Sequence, residues 1–309
     1  MHVRVENLTR HFGRTRAVDG ISFSFESGHI VGFVGPNGAG KTTTLRILAT
    51  VDEPTSGDAF MDGVSAVEDP EKARHLVGFM PDQVPAHGDM TVHEYLDFYA
   101  RAYGIRDPRR TQIVGSVEEF AGLVQLRDKT VVALSKGMKQ RISLARAIVH
   151  DPAVLLLDEP AAGLDPRARI ELRELLRLLA DQGKAILVSS HILTELSEIC
   201  DDAVIIERGK IVGAGTVDDL LTRDTSRRLV RIRTLASLED LLKAVIQIPG
   251  VDDGRIDGRC VTVTVGGDES ACRTILATLV RQGVPVVEFT HQRADLEDVF
   301  MSVTKGQTQ

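Results

Sequence analysis

The residues whose types and spacing could do chemistry gather first in Gly35-Pro36-Asn37-Gly38-Ala39-Gly40-Lys41-Thr42-Thr43. The stretch follows the spacing G-x-x-x-x-G-K-S/T. Glycines at those places let a backbone curl around a phosphate group and aim several N–H donors inward. The start of a following helix adds partial positive charge at the same spot. Lys41 is then placed to reach the β- and γ-phosphates of a nucleotide, and the Thr42 hydroxyl to ligate Mg²⁺. The context agrees. The apolar run His29 to Val34 reads as a buried strand entering the loop, and Thr42 to Thr50 as a helix leaving it. This is a nucleotide-phosphate site.

A second set of reactive residues closes other apolar runs. Ala153 to Leu157 is continuously apolar, as a strand buried on both faces of a parallel sheet must be, and it ends in Asp158-Glu159. Carboxylates at the C-terminal end of such a strand stand where ligands bind in open α/β sheets. Asp158 is placed to hold Mg²⁺, directly or through water, and Glu159 to orient and deprotonate an attacking water. The run Ala185 to Ser190 is followed by His191, on the same sheet edge as Lys41 and Asp158. Ahead of the phosphate loop, His11-Phe12-Gly13 reads as a turn, with Phe12 placed either to stack on a purine ring or to pack under the sheet. Leu134 to Arg141 opens a helix with Ser135 as its N-cap.

The elements that must position these groups are legible at coarse grain. Residues 2–8 and 21–25 alternate as strands, and Thr55 to Asp58 and Met61 to Gly63 are turn signals around another. His75 to Met80 reads as a strand, Thr91 to Gly104 and Thr111 to Val124 as helices, and Arg167 to Ala180 as a helix. A hairpin follows around Glu207 to Gly209. Thr222 to Arg228 is polar and reads as a linker. Beyond it the order strand, helix, hairpin, helix, strand predicts a small α+β domain of the ferredoxin-like kind. Leu296 to Phe300 reads as a final docking helix.

Composition bounds the rest. The chain has 309 residues, 43% hydrophobic and 26% charged, which suits a globular protein of one large and one smaller domain. A net charge of -7 argues against nucleic acid as the main partner. Cys200, Cys260 and Cys272 lack C-x-x-C spacing and read as ordinary thiols of a reducing cytoplasm. The N-terminus offers no signal-peptide core, and no uncharged apolar run approaches the roughly 20 residues of a membrane helix. If the protein works at a membrane, another chain is expected to cross it.

Taken jointly, the motifs resemble the ATP-binding subunit of ABC transporters over residues 2–220. Gly35 to Thr43 is similar to the family's Walker A loop, and Val154 to Glu159 to its Walker B strand. Ser135 to Gln140 resembles its signature, Ala162 to Asp165 its D-loop and His191 its switch histidine, while Phe12 takes the place of its adenine-stacking aromatic. The Q-loop glutamine aligns with Asp82, with Gln83 one place later. The signature departs from L-S-G-G-Q at Lys136 and Met138 but keeps Ser135 and Gly137.

The resemblance implies an α/β P-loop NTPase domain over residues 1–221, with a helical subdomain at about 84–150, and an accessory or dimerisation domain over 222–309. It implies ATP and Mg²⁺ as cofactors. It also implies a homodimer sandwiching two ATP molecules, each touching Lys41 and its neighbours on one copy and Ser135 and Gly137 on the other, with Asp165 in the D-loop. Lys41, Glu159 and His191 would carry catalysis. A multi-span permease would be the partner of a cytoplasmic protein peripheral to the inner face of the membrane, and the C-terminal appendage looks most like the exporter-type, drug-resistance group. The alternative is a soluble ABC ATPase acting on ribosomes or DNA, which generally carries two ATPase domains or long coiled coils. A P-loop kinase of small metabolites explains neither the signature segment nor His191.

Overall fold

Five consecutive buried residues, Ile30–Val34, form β3, the strand that feeds the phosphate loop. Burial on both faces is what a central parallel strand requires. In the computed structural model, which describes residues 1–83, 89–192, 199–222, 227–267 and 269–292, the chain divides into two compact units, Met1–Thr216 and Val217–Gln309.

The first unit is built on two sheets. β1 (His2–Phe12), β2 (Thr15–Glu26), β4 (Ser56–Met61) and β5 (Val64–Ser65) make a four-stranded sheet in the order β2-β1-β4-β5. β3 lies in a six-stranded sheet with β6 (Val77–Met80), β7 (Val154–Asp158), β8 (Ala185–Ser190), β9 (Asp202–Glu207) and β10 (Lys210–Thr216), in the order β10-β9-β3-β8-β7-β6. Every pairing there is parallel except that of β9 with the edge strand β10. Val31, Phe33, Leu156, Leu187 and Ile206 join Leu45 and Leu48 of α1 (Lys41–Leu48) in one buried core with the first sheet.

The register positions the chemistry. Val34 pairs with Ser190, and Asp158 with Ser189. The C-terminal ends of β3, β8 and β7 therefore open on one edge, side by side. A separate core, with Tyr95, Leu96, Val114, Val131, Ile142 and Ala145 among its members, holds a helical lobe of α3 (Val92–Ala102), α4 (Arg109–Phe120) and α5 (Lys136–Ile148). α6 (Pro166–Asp181) begins just past β7, its N-cap Asp165 accepting a hydrogen bond from the Ala168 N–H at 3.0 Å.

Three local expectations are corrected. His75 and Leu76 end a helix, α2 (Pro70–Leu76), and the strand starts at Val77. His11 and Phe12 are the last residues of β1, with the turn at Gly13 and Arg14. Ser56 to Asp58 belong to β4. Gly57 sits at a bulge against β1 with φ +82°, where a side chain would collide with Asn7. The glycine marks a close strand approach, not a turn.

In the second unit, α7 (Val217–Thr222) precedes β11 (Arg227–Thr234), α8 (Leu238–Ile246), β12 (Val251–Asp257), β13 (Cys260–Gly266), α9 (Glu269–Arg281) and β14 (Val286–Gln292). The strands form an antiparallel sheet in the order β12-β13-β11-β14. Alternate residues Val261, Val263 and Val265 share a buried cluster with Leu241, Val245, Ile275 and Leu279. The proposed docking helix at 296–300 lies outside the described residues.

Candidate nucleotide site

The loop after β3 is shaped by glycines that nothing larger could replace. Gly40, the N-cap of α1, has φ +109°, and a side chain there would run into the Ala17 carbonyl. One at Gly35 would strike the Ile206 carbonyl. Lys41, only 6% exposed, turns its ammonium back over the loop. It donates to the carbonyl oxygens of Gly35 at 2.7 Å and Pro36 at 3.3 Å, and lies 3.4 Å from Glu159 Oε1.

β7 and β8 deliver the carboxylates and the imidazole. Asp158 is buried, and its Oδ1 accepts a 2.6 Å hydrogen bond from the Ser189 hydroxyl on the neighbouring strand. The same Ser189 oxygen accepts from the Glu159 N–H at 3.0 Å. Glu159 leaves the strand with φ +49°, a left-handed conformation unusual for a glutamate, which marks a strained, over-determined position. Its Oε2 stands 2.9 Å from His191 Nδ1. Ser189 was not anticipated from sequence. Its signal was a hydroxyl at the end of an otherwise apolar buried strand.

Burial governs the electrostatics. It pushes the Lys41 ammonium pKa down, opposed by the charge of Glu159. It pushes the Asp158 carboxyl up, opposed by hydrogen bonds from Ser189 and Thr42. A buried carboxylate offset by only two hydroxyls gains from a nearby cation.

A cavity of about 540 Å³ opens over these groups. Asn37, Gly38 and Gly40 to Thr43 line it from the loop, joined by Phe12, Ala17, Asp82, Glu159, Ala162 and His191. Asp82 thus faces the cavity and Gln83 does not line it. Neither Gly35, Pro36 and Ala39 of the loop nor the buried Asp158 lines it. The Thr42 hydroxyl and the Asp158 and Asp82 carboxylates are hard oxygen donors of the kind Mg²⁺ takes. Among the described residues no three His, Cys, Asp or Glu side chains form a metal cluster of their own. A divalent ion would therefore complete its shell with phosphate oxygens and water, the usual arrangement for Mg²⁺.

Ser135, Gly137 and Asp165 do not line this cavity. Ser135 and Gly137 lie at the start of α5, and Asp165 at the start of α6. The Ser135 hydroxyl caps α5, accepting from the Met138 N–H at 3.3 Å. A methyl group at Gly137 would make only ordinary contacts, 3.7 Å from Leu164 and 3.8 Å from Ala168. The Lys136 ammonium lies over Gly163 in the turn that leads to Asp165.

Comparison with known proteins defines the class. The family model described as ABC transporter matches residues 18–162. Nod factor export ATP-binding protein I of Ralstonia nicotianae is 34% identical over 302 residues, covering 97% of this chain and 92% of that protein. Linearmycin resistance ATP-binding protein LnrL of Bacillus subtilis is 28% identical over 304 residues, covering 98% of each. The solved structure of an ATP-binding subunit of an ABC transporter superposes with a TM-score of 0.66 at 28% identity, over 73% of this chain and 93% of that one. A dimeric bacterial ABC cassette, MJ0796, shares the fold with a TM-score of 0.63 at 23% identity, over 69% and 98%. The architecture is that of an ABC-type ATPase. The chain belongs to the ABC transporter family, among its ATP-binding, ATP-hydrolysing subunits.

Proposed function

We propose that this chain powers export by an ABC transporter, hydrolysing ATP at two sites shared between two copies and driving a separate multi-span permease. One observation carries the reading. Lys41, Glu159 and His191 converge on a single cavity from three adjacent strands, with Glu159 held between the ammonium and the imidazole.

In this reading the loop from Gly35 to Thr43 cradles the phosphates and Lys41 meets the β- and γ-oxygens. Thr42 and Asp158, with Asp82 in the Q-loop role, hold Mg²⁺, which would supply charge neutralisation on the phosphates. Glu159 orients and deprotonates the attacking water, His191 contacts the γ-phosphate, and Phe12 stacks on adenine. Catalysis is then mostly positioning and charge stabilisation. Ser135 and Gly137, at a helix start with no phosphate of their own, take the γ-phosphate bound by the partner copy, and Asp165 completes that junction.

Relatives named for Nod factor export and linearmycin resistance support the exporter assignment. No helix among the described residues is long and apolar enough to cross a membrane, which supports a permease on another chain and a peripheral, cytoplasmic place for this one. The net charge of -7 disfavours nucleic acid as a partner. Residues 1–221 are then the ATPase domain, with its helical subdomain at about 84–150, and 222–309 the accessory domain. For the latter, the order strand-helix-strand-strand-helix-strand and the sheet order β12-β13-β11-β14 support a ferredoxin-like arrangement.

The test is co-purification. Tagged Glu159→Gln protein, extracted gently from membranes with ATP present, is expected to retain a polytopic membrane protein in near-stoichiometric amount. Recovery with ribosomes or DNA-bound factors and no membrane protein would overturn the transporter reading.

A further inference from the structure

The Phe12 ring is 49% exposed and lines the cavity, yet one of its faces is already occupied. The Arg10 guanidinium lies over it, with Cζ 4.6 Å from the ring centroid. Arg10 and Phe12 are two residues apart on β1, so their side chains leave the strand on the same side. Arg10 does not line the cavity. The guanidinium therefore backs the ring from outside and leaves the cavity-facing side open.

The buried Nε of Arg10 makes no hydrogen bond, and the guanidinium rests on the ring face. Its charge reaches Asp52, whose carboxyl is kept below the usual range first by hydrogen bonds from Arg46, with Arg10 adding to the effect. Asp52 in turn accepts from Arg46 Nε at 2.7 Å and Nη2 at 3.0 Å. Arg46 belongs to the last turn of α1, the helix that begins with Lys41. Arg10 thus touches the ring at the rim of the cavity and acts through charge alone on the carboxylate that pairs with Arg46 of α1.

A cation on one face of an aromatic ring draws π-density toward itself and leaves the opposite face a better partner for an electron-rich heterocycle. It also fixes the ring's rotamer, which lowers the ordering cost when a ligand stacks. We propose that Arg10 is a positioning residue for the nucleobase, fixing and polarising Phe12 so that a purine base stacks on the face opposite the guanidinium. This rests on Phe12 being the base platform of the proposed nucleotide site.

The experiment is calorimetric titration of the full chain with ADP and, separately, with pyrophosphate, both with Mg²⁺. Pyrophosphate has phosphates but no base. Arg10→Gln is expected to weaken ADP about 3-fold, the scale of a partly exposed cation–π contact. It should leave pyrophosphate unchanged, and Arg10→Lys should retain most of the ADP affinity. Phe12→Ala should weaken ADP and abolish any further effect of Arg10→Gln. Equal weakening of both ligands would overturn the proposal by showing Arg10 to be structural support only. So would an unchanged ADP affinity, or a full Arg10→Gln effect in the Phe12→Ala background. If wild-type protein binds ADP and Phe12→Ala does not weaken it, the base platform and Arg10's role fall while the ATPase reading stands. Wild-type protein that binds neither ligand would overturn both.

Discussion

Lys41 Nζ lies 3.4 Å from Glu159 Oε1, so the lysine at the start of α1 and the glutamate at the end of β7 face each other across the cavity. The ammonium also holds two carbonyl oxygens of its own loop, while the far oxygen of the carboxylate meets His191. In the proposed site, incoming phosphate would compete with Glu159 and those carbonyls for the ammonium, and a carboxylate released by Lys41 would be free to accept a proton from water.

Ser189 ties this arrangement together, since one hydroxyl donates to Asp158 and accepts from the Glu159 N–H. Ser189→Ala leaves a buried carboxylate with one donor fewer and a backbone N–H without its acceptor. Denaturant unfolding should show a loss of about 1–3 kcal/mol. The acid limb of the ATPase pH profile should move to higher pH, because losing a donor disfavours the ionised form of Asp158.

Gly137 separates the single-chain fold from the proposed shared site. Its φ is not left-handed, and a methyl group there meets only ordinary contacts. As the second residue of α5, Gly137→Ala should leave stability unchanged or raise it by about 0.5–1 kcal/mol, the helix preference of Ala over Gly. ATPase activity should nevertheless collapse if, as proposed, the methyl group occupies space that the partner's phosphate needs. Thermal unfolding and turnover measured on the same preparation check both halves.

His150 sets a pH dependence of stability. Burial lowers its pKa from 6.5 to about 4, against a hydrogen bond from Nε2 to the Val77 carbonyl, and its ring stacks on Tyr103 with centroids 3.7 Å apart. The folded value lies below the unfolded one, so as pH falls the unfolded chain takes the proton first. The stability at stake is fully present above pH 6.5 and is lost as the pH falls toward 4. At about 1.4 kcal/mol per unit the loss is on the order of 3 kcal/mol. Unfolding curves of wild type and His150→Gln over that window should diverge, the variant showing the flatter profile.

The sheet that carries the site was legible because its strands are short, continuous apolar runs. Ile30–Val34 and Val154–Asp158 are buried at every residue, and no surface helix reads that way. α2 was missed because Pro70–Leu76 buries only Ala73, too little for a helical period to register. Its one start signal is Asp69 before Pro70. The choice between Asp82 and Gln83 was out of reach for sequence, since adjacent loop residues differ in direction and not in pattern. In the structure Asp82 lines the cavity and Gln83 does not. Arg10 was invisible for a similar reason. A basic residue two before an aromatic on a strand is ordinary, and only the 4.6 Å approach gives it meaning.

The most direct test is light scattering of Glu159→Gln protein with and without ATP and Mg²⁺. Losing the proposed general base should slow hydrolysis by roughly 10²–10⁴-fold while leaving the Lys41 and Thr42 contacts intact, so bound ATP persists. The expected result is a mass of 33.7 kDa without nucleotide and twice that with it. A variant that binds ATP yet stays monomeric in both conditions would contradict two chains closing around shared sites.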